Sequence, residues 1–146
     1  MANIKRRGQG MWWGGLREGK GVVSTESGAL DKLAYSFHTR FENEPGTNPE
    51  ELIAGAHAAC FSMAFSATLE AKGYSPKQIE THATCVMTPQ EGGGFAITEM
   101  HLKVRGQVPG LDNETFSAIA HEADQGCPVS NLLRHGLTIK MDAALA

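Results

Sequence analysis

Apolar residues follow three different patterns along this chain. From Leu52 to Leu69 they crowd together through 18 consecutive uncharged positions. From Tyr35 to Phe41, and again from Ala96 to Val104, they alternate with polar residues. From Phe116 to Ala123 they recur at helical spacing. The crowded stretch, with its flanks from Asn48 to Gly73, predicts one long helix. Asn48 suits the N-cap, Pro49 the first helical position, and Glu51, three residues after the cap, can close a capping box. Gly73 supplies the left-handed stop, and Lys72 suits the negative end of the dipole. A helix that is apolar on all sides is a buried core helix. About 18 such residues also approach the length of a membrane span. His57, Ser62, Ser66 and Thr68 interrupt this run, however, and most of it is Ala rather than Leu or Ile, which favours the core helix.

Before this helix the pattern is one of strands and tight turns. Gly14-Gly15 and Gly19 to Gly21 punctuate short runs, Met11 to Trp13 and Val22 to Thr25, that fit a hairpin or meander. A third strand is expected from Tyr35 to Phe41, with Tyr35, Phe37, Thr39 and Phe41 on one face and Ser36, His38 and Arg40 on the other. After Gly73 come a strand from about Ile79 to Met87, a turn from Pro89 to Gly94, and a strand whose Ala96, Thr98, Met100, Leu102 and Val104 share one face. Asp112 or Asn113 caps a second helix running to about Asp124. Cys127-Pro128 opens a short third helix through Leu133, closed by Gly136, and Leu137 to Met141 makes a final strand. This order is an α+β plan. One curved sheet cannot cover a helix that is apolar all round, so dimerisation through the helix is expected.

Composition narrows the function classes. The chain of 146 residues is read as a single domain, 1–146, long enough to bury a core. A net charge of −3 with mixed signs provides no basic field for nucleic acid. The cluster Lys5, Arg6, Arg7 is not followed by the apolar core of a signal peptide, which leaves the cytoplasm as the expected compartment. Three cysteines, Cys60, Cys85 and Cys127, are too few for a secreted disulfide framework. In a reducing compartment a disulfide between any of them is more readily transient and catalytic than structural. His57 and Cys60 form an isolated HxxC, which lacks the further ligands a metal site requires.

Cys60 lies among the small residues of the long helix, where burial alone raises a thiol pKa and makes it inert. A guanidinium about 4 Å away is worth about 4 kcal/mol at an effective dielectric near 20, enough to outweigh moderate desolvation. Arg40 is the first candidate and Arg17 the second, against the alternative that either simply faces solvent. Cys127 at a helix N-cap receives positive potential from the first-turn amides, although a small buried residue before proline reads equally well as packing. Cys85 alternates with Ala83 and Met87 on a strand face and is assigned to packing. Glu50 and Glu51 both suit a first helical turn. Ten residues at 1.5 Å each put Glu50 about 15 Å from Cys60, so Glu50 reaches a Cys60 site most simply from a partner chain.

The segments VSTESGAL, FHTRFENEPGTNPEELIAGAHAACFSMA, GGGFAIT and GCPVSNLL resemble the osmotically inducible protein C branch of the OsmC and organic hydroperoxide resistance protein family, over nearly the whole length. The resemblance implies an intertwined homodimer, with long buried central helices wrapped by antiparallel sheets, and a thiol peroxidase site at the interface. It implies that Cys60 is the peroxidatic and Cys127 the resolving cysteine. Arg40 then activates the thiolate and Glu50 holds that arginine, with Arg17 as a minor candidate. The implied cycle takes an organic hydroperoxide to an alcohol through a Cys60 sulfenic acid and a Cys60–Cys127 disulfide, which an external dithiol, by family likeness on a lipoyl-bearing protein, reduces again. Phe61, Met63 and the aromatics of the third strand would favour an organic substituent. No cofactor or metal is implied. Two readings of other classes stand beside it: a cysteine hydrolase or transferase using His57 as base, and a stress-induced binding or scaffold protein with incidental cysteines.

Overall fold

The computed structural model describes residues 1–136 and 140. The predicted last strand, Leu137 to Met141, lies outside the described residues apart from Lys140. The chain divides into two compact units, Met1–Ile53 with Val86–Ala96 and Ala54–Cys85 with Ile97–Ala146.

In the first unit, β1 (Gly8–Trp13), β2 (Lys20–Thr25) and β3 (Leu33–Tyr35) form an antiparallel sheet in the order β1-β2-β3. Met11 pairs with Val22, and Val22 with Ala34. The Trp12 and Tyr35 rings meet over β2 with centroids 5.5 Å apart. A Cβ on Gly21 would come within 2.6 Å of the Tyr35 ring and 2.7 Å of the Trp12 ring, so only glycine fits beneath them.

The third predicted strand is corrected. Only Tyr35 of that stretch is in β3, and Phe37–Phe41 forms a short helix, α1. Ser36 caps it: its hydroxyl accepts from the Thr39 N–H at 3.1 Å, while the Ser36 N–H donates to Thr39 Oγ1 at 2.8 Å. This reciprocal pair satisfies the orphan donors of the first turn. Thr39 Oγ1 in turn donates to the Thr47 carbonyl at 2.8 Å. Phe37 and Phe41, which share a strand face at alternate positions, also lie four apart and stack on the helical turn at 4.9 Å.

The long helix α2 spans Pro49–Ala71. Asn48 Oδ1 accepts from the Glu51 N–H at 2.8 Å, as a cap should. The Glu51 carboxylate, however, takes the Thr47 hydroxyl at 2.6 Å, so the second half of the expected capping box is replaced. At the other end Gly73 has φ 88°, the Tyr74 N–H reaches the Leu69 carbonyl at 3.0 Å and the Gly73 N–H reaches Glu70 at 2.9 Å. This is the Schellman arrangement.

In the second unit one stripe of α2 is buried: His57, Phe61, Phe65 and Leu69. It packs with Ile119 and Ala123 of α3 (Asn113–Gly126) and with Cys127. Phe65 and Phe116 meet edge to face at 4.9 Å. The expectation of burial all round is met on this stripe alone. Gly55, Ala56, Ala59, Met63 and Ala67 are exposed, Met63 to 76%. Strands β4 (Gln78–Pro89) and β5 (Phe95–Gln107) pair as the predicted hairpin, whose tip, Val86–Ala96, belongs to the first unit and is closed by the Gln90 N–H to Gly94 carbonyl bond at 3.0 Å. Asp112 caps α3 through the Thr115 N–H at 2.7 Å, and that N–H holds its carboxyl below the usual range. Cys127 closes α3 and opens α4 (Pro128–His135), which ends at Gly136 with φ 71°.

Candidate active site

Two groups of chemically capable side chains stand out, one in each unit. In the first unit the short turn of α1 carries Arg40, and the first turn of α2 carries Glu50. Arg40 Nη2 donates to Glu50 Oε1 at 2.7 Å, and Nε reaches Oε1 and Oε2 at 3.1 and 3.2 Å. The guanidinium also lies 5.2 Å from the Phe41 ring centre, and Nη2 is 3.8 Å from the Met87 sulfur. Charge-assisted, forked contact of this kind fixes both direction and plane. Glu50 is the more enclosed partner, its side chain 12% exposed against 37% for Arg40. The pair forms within one chain, so Glu50 needs no partner subunit to hold Arg40. Arg17 lies 4.6 Å over the Phe37 ring instead. Arg40 therefore sits on a helix, not on the polar face of a strand.

In the second unit α2 brings Cys60 against Cys127, at the joint between α3 and α4. Both cysteines are reduced. Cys60 packs against the core cluster that contains Cys127, and each thiol acts on the ionisation of the other. Cys127 is fully buried and Cys60 partly so. Burial pushes the Cys60 thiol up, the Val129 N–H offsets part of that, and the adjoining Cys127 adds to the rise. Burial also opposes ionisation of Cys127, but the Ser130 N–H, the Ser130 hydroxyl, Cys60 and the Val129 N–H together outweigh it and bring Cys127 below its ordinary value. As a neutral thiol Cys127 makes no directed capping bond. As a thiolate it faces the first-turn donors of α4, the setting expected for a cysteine at a helix N-terminus.

His57 is buried one turn before Cys60. Its Nε2 lies 2.7 Å from Ser130 Oγ. Burial lowers its pKa, with Asp124 acting to raise it and Arg134 to lower it. The imidazole pairs through Nε2 with Ser130, and no hydrogen bond joins it to the Cys60 thiol among the described residues, so the contact that a Cys60 hydrolase needs is not formed. Sequence reading missed Ser130 altogether. Its position three residues after an N-cap cysteine was the available signal, since that is where a first-turn side chain meets the cap. Met87 beside Arg40 was also missed, and nothing in the sequence links the two. Cys85 is half-buried on β4, on the same alternating face as Ala83. Among the described residues no group of three or more His, Cys, Asp or Glu side chains is arranged to hold a metal ion.

Comparison with known proteins adds four findings. A profile of the family described as OsmC-like protein matches residues 41–142. Peroxiredoxin OsmC of Escherichia coli (strain K12) is 51% identical over 136 residues, 93% of this chain and 94% of that protein. The organic hydroperoxide resistance protein of Xanthomonas axonopodis pv. citri (strain 306) is 34% identical over 132 residues, 89% of each chain. Among solved structures, an organic hydroperoxide resistance protein from Elizabethkingia anophelis superposes with a TM-score of 0.69 at 23% identity, covering 93% of both chains. At that identity the likeness is one of fold, and it gives these helices and strands the arrangement found in such proteins.

Proposed function

Because this chain belongs to the OsmC-like protein family, we propose that it is a cysteine-based peroxidase that reduces organic hydroperoxides to alcohols in stress defence. The observation that carries this reading is the reduced Cys60–Cys127 pair, one thiol on α2 packed against the core cluster that holds the other at the joint of α3 and α4. The relatives named as a peroxiredoxin and as organic hydroperoxide resistance proteins supply the substrate class.

Cys60 is the peroxidatic residue in this reading. Its thiolate attacks the distal oxygen of ROOH, the O–O bond breaks, and the alkoxide leaves and takes up a proton as ROH. The sulfenic acid left on Cys60 is attacked by Cys127, giving the disulfide and water. An external dithiol, carried by a lipoyl-bearing protein, restores both thiols by exchange. The depressed pKa of Cys127 suits an attacking thiol. Cys60 has the opposite requirement, since burial holds its proton on. Arg40 is the group that reverses this, stabilising the thiolate and the developing alkoxide, with Glu50 fixing its fork in place.

The protein works as a homodimer. The open face of α2, with Gly55, Ala59, Met63 and Ala67, is the surface that a second copy covers, and small residues let two such helices approach closely. The Arg40–Glu50 pair of one chain then serves Cys60 of the other. The cytoplasm is the compartment consistent with cysteines kept reduced.

Peptide mapping of the reduced protein after one equivalent of cumene hydroperoxide tests this directly. A Cys60–Cys127 disulfide that forms much faster than with hydrogen peroxide is the expected result. Cysteines that stay reduced, or a linkage through Cys85, would overturn it.

A further inference from the structure

The cycle above leaves two buried polar residues without a task. His57 and Ser130 are each 4% exposed, come from positions 57 on α2 and 130 on α4, and meet through a 2.7 Å bond between Nε2 and Oγ. His57 Nδ1 is buried and has no hydrogen-bond partner among the described residues. This decides the tautomer. A buried N–H without an acceptor is among the most costly orphans, whereas a bare ring nitrogen leaves only a lone pair unmet. The proton therefore sits on Nε2 and is donated to Ser130 Oγ. With its oxygen accepting from His57, the Ser130 hydroxyl has its own proton to give. Its natural acceptor is the sulfur of Cys127, the N-cap residue three positions earlier, the spacing at which a cap side chain faces the first turn.

We propose that His57 and Ser130 form a donor relay, Nε2–H to Oγ and O–H to Sγ, that positions Cys127 and stabilises its sulfur for attack on the oxidised Cys60. This rests on the peroxidase reading for the identity of the attacked group. In that step the Cys127 sulfur gives its electron pair to the Cys60 sulfur, and the S–O bond breaks with its pair on oxygen. The hydroxide so formed takes up a proton as water, and the hydroperoxide that oxidised Cys60 is the only oxidant needed. The relay carries no net charge, so it stabilises an anion at Cys127 without placing a cation in the core. The charged groups around it pair with each other: Asp124 of α3 and Arg134 of α4 are joined at 2.5 Å and act on His57 in opposite directions. The remaining titratable neighbour is Cys60 itself. His57 and Ser130 are positioning residues, since neither needs to touch the hydroperoxide.

The test separates this relay from the peroxidase reading by working first without Cys60. In a Cys60→Ala background, Cys127 is titrated by thiolate absorbance and by the pH dependence of iodoacetamide alkylation. Loss of one charge-assisted donor through Ser130→Ala should raise the Cys127 pKa by about one unit, about tenfold less thiolate at a fixed lower pH. Ser130→Thr, which keeps the hydroxyl, should restore it. His57→Leu should shift it the same way, and His57→Gln, which keeps an N–H donor, should shift it less. With Cys60 present, Ser130→Ala should close the disulfide about tenfold more slowly after one equivalent of cumene hydroperoxide, leaving a sulfenic acid that dimedone traps. A folded Ser130→Ala protein whose Cys127 titrates as the parent does, or a folded Ser130→Thr protein that behaves like Ser130→Ala, overturns the relay. A parent protein that forms no disulfide overturns the peroxidase reading instead, and the Cys127 titration still judges the relay.

Discussion

Arg40 and Glu50 are locked edge to edge within one chain, the guanidinium Nη2 2.7 Å from Oε1 and Nε shared between both carboxylate oxygens. Glu50 thereby aims the cation. Nη1 makes no hydrogen bond among the described residues, which leaves a donor for a thiolate outside the pair. If Arg40 activates Cys60, Arg40→Ala should lower kcat/KM for an organic hydroperoxide about a hundredfold. Arg40→Lys should recover little of it, because an ammonium cannot reproduce the fork. Glu50→Gln should cost about tenfold, with the arginine present but less firmly aimed.

If that pair serves Cys60 of the second copy, two inactive variants should complement each other. Chains carrying Cys60→Ser and chains carrying Arg40→Ala, unfolded and refolded together in equal amounts, should give about a quarter of the parental rate, because half the dimers are mixed and each has one intact site. Steady-state assay of the mixture reads this, and no recovery would place Arg40 on its own chain's cysteine.

The open stripe of α2 makes its own prediction. Met63→Asp puts a charge on a residue 76% exposed in the single chain, so it should cost the isolated chain little. On a dimer seam the same charge is buried without a partner, and such a residue is costly. Analytical ultracentrifugation should show the variant shifted to monomer, with activity lost in parallel.

His57 sets a pH dependence of stability. Its pKa is lowered in the folded chain from an ordinary value of 6.5. The unfolded chain therefore binds the extra proton first. The stabilising difference is fully present above about pH 6.5 and is lost as pH falls towards the folded value. Melting temperature measured between pH 5 and 7.5 should fall on the acid side, and less steeply in His57→Gln.

Gly21 lies beneath the Trp12 and Tyr35 rings. Gly21→Ala should destabilise the protein by about 1–3 kcal/mol, since neither ring can move without leaving the other. Urea unfolding measures this, and a neutral result would mean that the rings part freely.

Sequence patterning made the ends of α2, the β4–β5 hairpin and the Cys127-Pro128 helix start readable because each rests on local chemistry: a cap, a glycine, a proline. The Tyr35–Phe41 stretch misled because alternate aromatics at 37, 39 and 41 also place residues four apart. Periodicity cannot choose between strand and helix over so short a run. Ser36 with Thr39 decided it, through a capping box that uses Thr in place of the usual Glu or Gln. The face of α2 left open is a matter of tertiary supply, since composition shows that a surface is apolar but not what covers it. Cys60, Cys127, Arg40 and Glu50 were legible by motif. The His57–Ser130 bond was not, because it joins residues 73 positions apart and either alone reads as an ordinary buried or capping side chain.

Cys127 is the single extended residue, φ −77° and ψ 116°, between two helices. Once its sulfur becomes a crosslink to α2, the corner where α3 turns into α4 is tethered covalently to the central helix, and that corner can no longer open by itself. Amide exchange around residues 124 to 131 should therefore slow on oxidation, so that this bend acts as a mechanical record of whether the chain has met a peroxide.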